Sequence, residues 1–296
     1  MAKILVTGSA GFIGSKVKNK LISLGHVVFD YDIASGQDLL DLKELEDAVS
    51  SVDVVYHIAA EADLGKMTKL NGAWNGVIKN VYATHNVAYL CAKYNKLLIY
   101  ASTVCVYGNQ KNHPETEDYT LPNPSDLYAC SKYAGEWIVK GYGQNFGMPW
   151  TILRFATIYG PGMRRALGLH IFFRQAMAGD PITVHGDGEQ DRTLTYIDDL
   201  VEGIVAPLTH EKKAKGQIFN LSNQISISAN VMAESVKALT ESASEIVHVK
   251  QRDNQTLHED IDSDKAWNLL DWQTKTSWDK GIALTYEWMK NEIQQS

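Results

Sequence analysis

Tyr128 and Lys132, four positions apart in "LYACSKYAGE", are residue types that can act together in proton transfer. A phenol titrates at about 10, and a fixed ammonium beside it stabilises the phenolate and brings that value towards neutrality. Such a base can take the proton of a hydroxyl while hydride leaves the same carbon. The spacing alone decides nothing, because it recurs at Tyr89 and Lys93, at Tyr107 and Lys111, and at Tyr286 and Lys290. Only position in a fold can promote one pair over the others.

A second group of residues can hold the partner that takes the hydride. "TGSAGFIG" sets Gly8, Gly11 and Gly14 between an apolar run, "KILV", and a stripe of Ile13, Val17, Leu21 and Leu24 that Gly25 stops. Gly8 permits a tight turn, Gly11 lets the backbone approach a pyrophosphate, and Gly14 allows the helix to pack close to the strand. The helix opening at Phe12 and Ile13 turns its N-terminus to the negative charge. Asp32, at the end of a second strand "HVVFDYD", can accept hydrogen bonds from ribose hydroxyls and repel a 2′-phosphate, which favours NAD over NADP. Asp30 competes for that role, and a capped strand end is the plainer reading of either.

The elements that must position these groups alternate between strand and helix. Asp41 with Glu44 resembles a capping pair before "LEDAV", "VDVVYHIAA" reads as a strand, and a helix is expected over about 75–94. "LLIYAST" is the next strand, a Pro-rich loop follows, and a helix over about 126–145 leads into the strand "PWTILRF". This order predicts an α/β chain with a Rossmann-type doubly wound parallel sheet. Beyond residue 160 the elements shorten: helices near 169–178, 198–208 and from Ser228, with the strands "ITV" and "IFNLS". The expected organisation is a dinucleotide-binding domain over 1–157 and a smaller, partly interleaved domain over 158–296, with parts near 195–222 returning to the first sheet. Ligands of open α/β sheets bind at the carboxyl edge of the strands. Thr103 ends one such strand, and the helix carrying Tyr128 and Lys132 begins close enough to lean over the same edge, so this pair alone has the address.

Composition narrows the class. The 296 residues are 45% hydrophobic and 21% charged, with a formal net charge of -7 and no long basic block, so a nucleic-acid footprint is missing. Cys91, Cys105 and Cys130 form no Cys-x-x-Cys pair, which argues against a disulfide framework and a zinc site and fits a reducing cytoplasm. With no signal-like leader and no long apolar run, the chain is expected neither to be exported nor to span a bilayer.

Taken together, "TGSAGFIG", Asp32, "DLLD", "HIAA", Asn80, "STVCVYG", "YACSK", "RFATIYGPG", "GDGEQDRTLTYIDD" and "DSDKAWNLLDW" resemble the extended short-chain dehydrogenase/reductase family, in particular its nucleotide-sugar epimerases and dehydratases. The likeness runs over almost the whole chain. It implies a catalytic Thr103, Tyr128 and Lys132, and an NAD held by the glycine turn, Asp32, Asp38, Leu39, Ala59, Ala60, Asn80 and Lys132. It also implies a nucleoside-diphosphate sugar gripped by Arg192 and, with less support, Arg252, whose planar guanidinium suits phosphate oxygens. Thr157 stands where the family often has asparagine, in the substrate pocket. Val104 and Cys105 follow Thr103 where 4,6-dehydratases carry Asp and Glu, so water elimination is not expected. Cys105 resembles the acid/base cysteine of enzymes that epimerise C3 or C5, and His170 lies near their histidine but one position off; a small buried cysteine and a helix-facing histidine are the plainer alternative. The main expectation is an NAD-dependent 4-epimerase. A 3,5-epimerase, a keto-sugar reductase or a non-catalytic NAD sensor are the alternatives. The resemblance further implies a homodimer paired through the helices near 75–94 and 126–145.

Overall fold

The structure, a computed structural model, describes residues 1–108, 114–118, 123–124, 126–251 and 257–294, and every structural statement below refers to these. The strands are β1 (Lys3–Thr7), β2 (Val27–Tyr31), β3 (Val54–His57), β4 (Leu97–Thr103), β5 (Trp150–Phe155), β6 (Thr157–Tyr159), β7 (Ile182–His185), β8 (Asp191–Tyr196), β9 (Gln217–Leu221), β10 (Ser226–Ser228) and β11 (Ile246–Val249). The helices are α1 (Phe12–Ser23), α2 (Leu42–Ser50), α3 (Leu64–Met67), α4 (Leu70–Lys93), α5 (Leu127–Phe146), α6 (Gly168–Ala178), α7 (Ile197–Thr209), α8 (Glu211–Ala214), α9 (Ala229–Leu239), α10 (Asp264–Leu270) and α11 (Trp278–Gln294).

Six strands form one parallel sheet in the order β2-β1-β3-β4-β5-β9. Successive residues of each central strand face opposite sides. Ile4 and Val6 join Val17 and Leu21 of α1 in one buried cluster, while Leu5 packs with Leu45, Val87 and Val139 of α2, α4 and α5 in another. Burial on both faces explains why these strands read as continuous apolar runs. The strand order reverses between β1 and β3, and that reversal places the crevice beside the glycine turn. The fold is thus the expected doubly wound α/β sheet. β9 joins it from beyond residue 158, and smaller sheets β10-β8-β6 and β11-β7 build the second region.

α5 starts where Asp126 accepts a hydrogen bond from the Ala129 amide and ends at Gly147, whose φ of 70° is left-handed. That cap puts Tyr128 in the first turn and Lys132 one turn later. α4 starts at Leu70, earlier than the expected 75. Gly72 and Gly76 weaken helix propensity there, but a Cβ on Gly72 would lie 2.1 Å from the Lys66 carbonyl oxygen. Close packing of α3 therefore extends the helix where local propensity does not.

Candidate active site

The carboxyl edge of the sheet gathers the glycine turn, Thr103 and the first turns of α5. Register does much of this work: Thr7 of β1 pairs with His57 of β3, and His57 with Tyr100 of β4. The Thr7 hydroxyl lies 2.8 Å from Nδ1 of His57, and the His57 Nε2 lies 3.1 Å from the Thr84 hydroxyl. Thr84 donates its own proton to the Asn80 carbonyl oxygen, so Nε2 is the donating nitrogen of His57 and Nδ1 accepts from Thr7. Burial, together with the Lys132 ammonium, pushes the imidazole down to about 3, and it is neutral near pH 7. Its ring stacks on Tyr100 at 5.7 Å, and Lys132 Nζ lies 4.4 Å over the Tyr100 ring. A row of side chains therefore runs from the residue before Gly8 to Lys132. Gly135 makes the last step possible, since a Cβ there would lie 2.2 Å from the Tyr100 hydroxyl oxygen.

The dinucleotide-type residues fit such a group on local geometry. The α1 N-terminus at Gly11 has no side-chain cap, which leaves first-turn amides for an anion. Gly8 has φ 73°, and a Cβ there would come within 2.8 Å of the Ala59 backbone. A Cβ on Gly14 would lie 2.0 Å from the Gly8 carbonyl oxygen. Asp32 directly follows β2 and accepts hydrogen bonds from the amides of Ala10 and Ala34, which fixes its carboxylate and leaves further lone pairs. Asp30 instead pairs with Lys18 on the outer surface. Phe12 meets Gly162 of the segment after β6, while Ile13 packs against the core. Asp38 turns its carboxylate to the Leu40 amide, and the Leu39 carbonyl accepts from Asn86. Ala59 lies against the glycine turn, with its amide donating to Thr7, and Ala60 follows it at the surface. Asn80 is buried, with its amide group bound to the backbone of Glu61 and to Ser131 of α5, so it ties the post-β3 segment to the helix of Tyr128.

Thr103 caps the short turn Val104–Tyr107 by accepting from the Cys105 amide, and this turn packs against α5. Tyr128 is half-buried; burial and then the Cys105 and Asp126 charges push its phenol above the ordinary range, opposed by the guanidinium of Arg164. Lys132 is directed over Tyr100 and acts on His57, and the cation that opposes the rise of the Tyr128 phenol is the Arg164 guanidinium. Burial brings Lys132 down to about 7, partly offset by Glu136.

On the other side of Thr103, Cys105 is pushed up to about 11 by burial and by Glu259, with Arg192 opposing. Glu259, buried and absent from the expectations, accepts from the amide and hydroxyl of Thr193. Arg192 Nε lies 4.0 Å from its carboxylate. Thr157 lies on β6, beside β8, which carries Arg192. Arg252 lies outside the described residues. His170 is not brought to Cys105: it is buried on α6, with Nε2 3.3 Å from Glu292 and its ring edge-on to Trp288 of α11. Of the competing Tyr-x-x-x-Lys pairs, Lys93 is bound to Glu46 and Lys290 to Glu287 at the surface, and Lys111 lies outside the described residues.

Residues 4–222 match the model of the NAD dependent epimerase/dehydratase family. The chain belongs to that family. A UDP-N-acetyl-alpha-D-glucosaminuronate decarboxylase of Bacillus cytotoxicus is 31% identical over 320 aligned positions, covering 97% of this chain and 98% of the relative. A UDP-glucuronate 4-epimerase of Thermodesulfobacterium geofontis is 30% identical over 324 positions, covering 99% and 98%. Among solved structures, the UDP-glucuronic acid 4-epimerase from Bacillus cereus in complex with UDP-glucuronic acid and NAD superposes with a TM-score of 0.91 at 29% identity, covering 98% of this chain and 99% of that one. No helix among the described residues is long and apolar enough to cross a membrane.

Proposed function

We propose that the protein is an NAD-dependent nucleotide-sugar 4-epimerase, acting on a uridine-diphosphate sugar through a 4-keto intermediate. The observation that carries this reading is the convergence of Thr103, Tyr128 and Lys132 on the sheet edge that also holds the glycine turn, without a carboxylate at position 104 or 105 and without His170 beside Cys105. The first absence speaks against elimination and the second against acid/base exchange at C3 or C5. When bound, NAD accepts a hydride from the sugar and returns it.

Tyr128 takes the proton of the C4 hydroxyl and gives it back after the keto sugar has turned its other face. Its phenol resists ionisation because it is buried, so cationic charge must compensate: Arg164 acts on it in this structure, and Lys132 stands one turn behind. Thr103 orients the reacting oxygen. Asp32, Asp38, Leu39, Ala59, Ala60 and Asn80 line the dinucleotide's bed with Gly8, Gly11, Phe12, Ile13 and Gly14, and Asp32 selects NAD. Arg192, with Thr157 near it, receives the diphosphate and sugar, and Arg252 belongs to the same grip. The three free cysteines and the paired apolar faces of α4 and α5 support a cytoplasmic homodimer.

The test is Tyr128→Phe assayed on a panel of nucleotide sugars by NMR. Loss of turnover of about 10²-fold or more, with NAD binding kept, is expected. Unchanged turnover would remove Tyr128 from the chemistry. Solvent deuterium appearing at C3 or C5 of the product would overturn 4-epimerisation in favour of carbanion chemistry.

A further inference from the structure

α5 carries a buried charge cluster that the proposed reaction does not itself use. Glu136, one turn beyond Lys132, is 1% exposed, and Arg154 of β5 is 3% exposed. They meet at two points, Arg154 Nε to Oε1 at 2.9 Å and Nη2 to Oε2 at 2.7 Å. The Ser102 hydroxyl donates to the same Oε1 at 2.6 Å. Arg154 Nη1 donates to the Tyr107 hydroxyl at 2.8 Å, Tyr107 donates to Asn220 of β9, and Asn220 donates to the carbonyls of Glu115 and Asp262.

Three members of this network adjoin groups of the site. Ser102 directly precedes Thr103, Tyr107 closes the turn that Thr103 caps, and Glu136 shares the Lys132 face of α5. A well-packed apolar pair would hold a helix on a sheet at least as firmly as a desolvated ion pair, so packing alone does not account for the charges. The surroundings of Lys132 show what the negative one can do. From β4 the Tyr100 ring covers the ammonium, from β3 comes a neutral His57, on α5 itself stand Tyr128 and Glu136, and Arg154 of β5 is bound to that Glu136. Glu136 is the anion among the described residues that acts on Lys132.

We propose that Glu136 is a positioning residue for the Tyr128–Lys132 pair: clamped by Arg154 and Ser102 one turn beyond Lys132, it seats α5 on the sheet edge and sets a negative charge on the lysine's face of the helix. Its consequence for turnover rests on the epimerase reading, whereas its action on Lys132 does not.

The test follows the Lys132 titration by NMR in protein carrying [ε-13C]lysine, with the Lys132 resonance identified by its loss in Lys132→Met. In Glu136→Gln the titration moves down by about one pH unit, whereas Glu136→Asp and Ser102→Ala, which keep the charge, leave it within a few tenths. Should Glu136→Gln fail to fold, the double variant Glu136→Gln with Arg154→Met removes both members of the pair, and the Lys132 titration still moves down, by less than in the single variant because an opposing cation is lost with the anion. A Lys132 titration unchanged in the Gln variant, or in the double variant, overturns the proposal. The alkaline limb of the kcat profile for sugar epimerisation is expected to move with the titration. A moved titration beside an unmoved limb would overturn the catalytic half and leave only the electrostatic one.

Discussion

Lys132 Nζ stands 4.4 Å from the centroid of the Tyr100 ring, and the Tyr100 hydroxyl in turn donates to the Lys132 carbonyl oxygen at 3.2 Å. One aromatic side chain thus holds both the backbone and the charge of the same lysine. The attraction of a cation to a ring face is modest beside the loss of water around a buried ammonium, which is why Lys132 falls from 10.5 to about 7.

That depression makes Lys132 a pH-dependent burden on the fold. The unfolded chain keeps the lysine proton up to about pH 10.5 and the folded one only up to about 7, so the folded state is penalised fully below pH 7 and relieved as pH rises to 10.5. Lys132→Met, in protein stripped of dinucleotide, is expected to raise unfolding stability at pH 6 by at most about 5 kcal/mol, with the gain fading by pH 10. Denaturant melts at the two pH values check it, and a gain independent of pH would show that Lys132 is not depressed.

Cys105 stands beside the reacting residues with its thiol pushed up to about 11, a poor base near neutrality, and its possible histidine partner is turned towards α11. Cys105→Ser is therefore expected to change kcat for 4-epimerisation only slightly. A loss of about 10²-fold or more would mark the thiol as an acid/base group and revive epimerisation at C3 or C5.

At the adenosine end, the Asp32 carboxylate is pinned by the amides of Ala10 and Ala34. Asp32→Ala should weaken NAD binding by about tenfold or more and narrow its margin over NADP, because a charged acceptor for the ribose and a repulsion against a 2′-phosphate disappear together. Fluorescence titration with both dinucleotides measures this. Equal losses for the two would show that the carboxylate only shapes the turn.

Two glycines of similar appearance separate close approach from mere permissiveness. Gly14→Ala would set its Cβ 2.0 Å from the Gly8 carbonyl oxygen and 2.7 Å from its carbon, and backbone cannot move aside as a side chain would. A cost of about 1–3 kcal/mol and loss of dinucleotide binding are expected. Gly141 of α5 has nothing within 4 Å of an added Cβ, so Gly141→Ala should stabilise by up to about 1 kcal/mol through helix propensity. Thermal melts of the two variants should move in opposite directions.

These sites differ in how far the chain itself discloses them. The glycine turn, β4 and α5 are legible because their signals are local: apolar runs buried on both faces, a capping aspartate at 126 and a stopping glycine at 147. Glu136, Arg154 and Glu259 are not, since a charged residue in sequence reads as solvated surface and only tertiary pairing buries it. Arg164 is hidden differently, on an exposed segment that meets Ala62 only after the chain has crossed the sheet. β6, β8, β10 and β11 are short or carry polar residues that break any alternation, so their pairing is set by neighbours distant in sequence. The directions of Lys132 and His170 likewise depend on Tyr100 and Glu292, which no spacing rule links to them.

The outer face of α4 provides the last test. Leu70, Trp74 and Tyr82 lie on one ridge at multiples of four residues and are 86%, 69% and 60% exposed, with Leu127 and Trp137 of the adjoining α5 exposed at 48% and 54%. Single apolar side chains at a surface are ordinary, but a ridge shared by two packed helices is not. The flanks carry apolar Leu40 and Leu42, and the same patch on a second copy can meet it across a two-fold axis, each helix pair filling the other's groove. Trp74→Glu would bury a carboxylate at the centre of such a contact. Sedimentation velocity is expected to show a dimer for the parent protein and a monomer for the variant. A parent that sediments as a monomer at micromolar concentration, or a variant that remains dimeric, would rule out this face as the subunit contact.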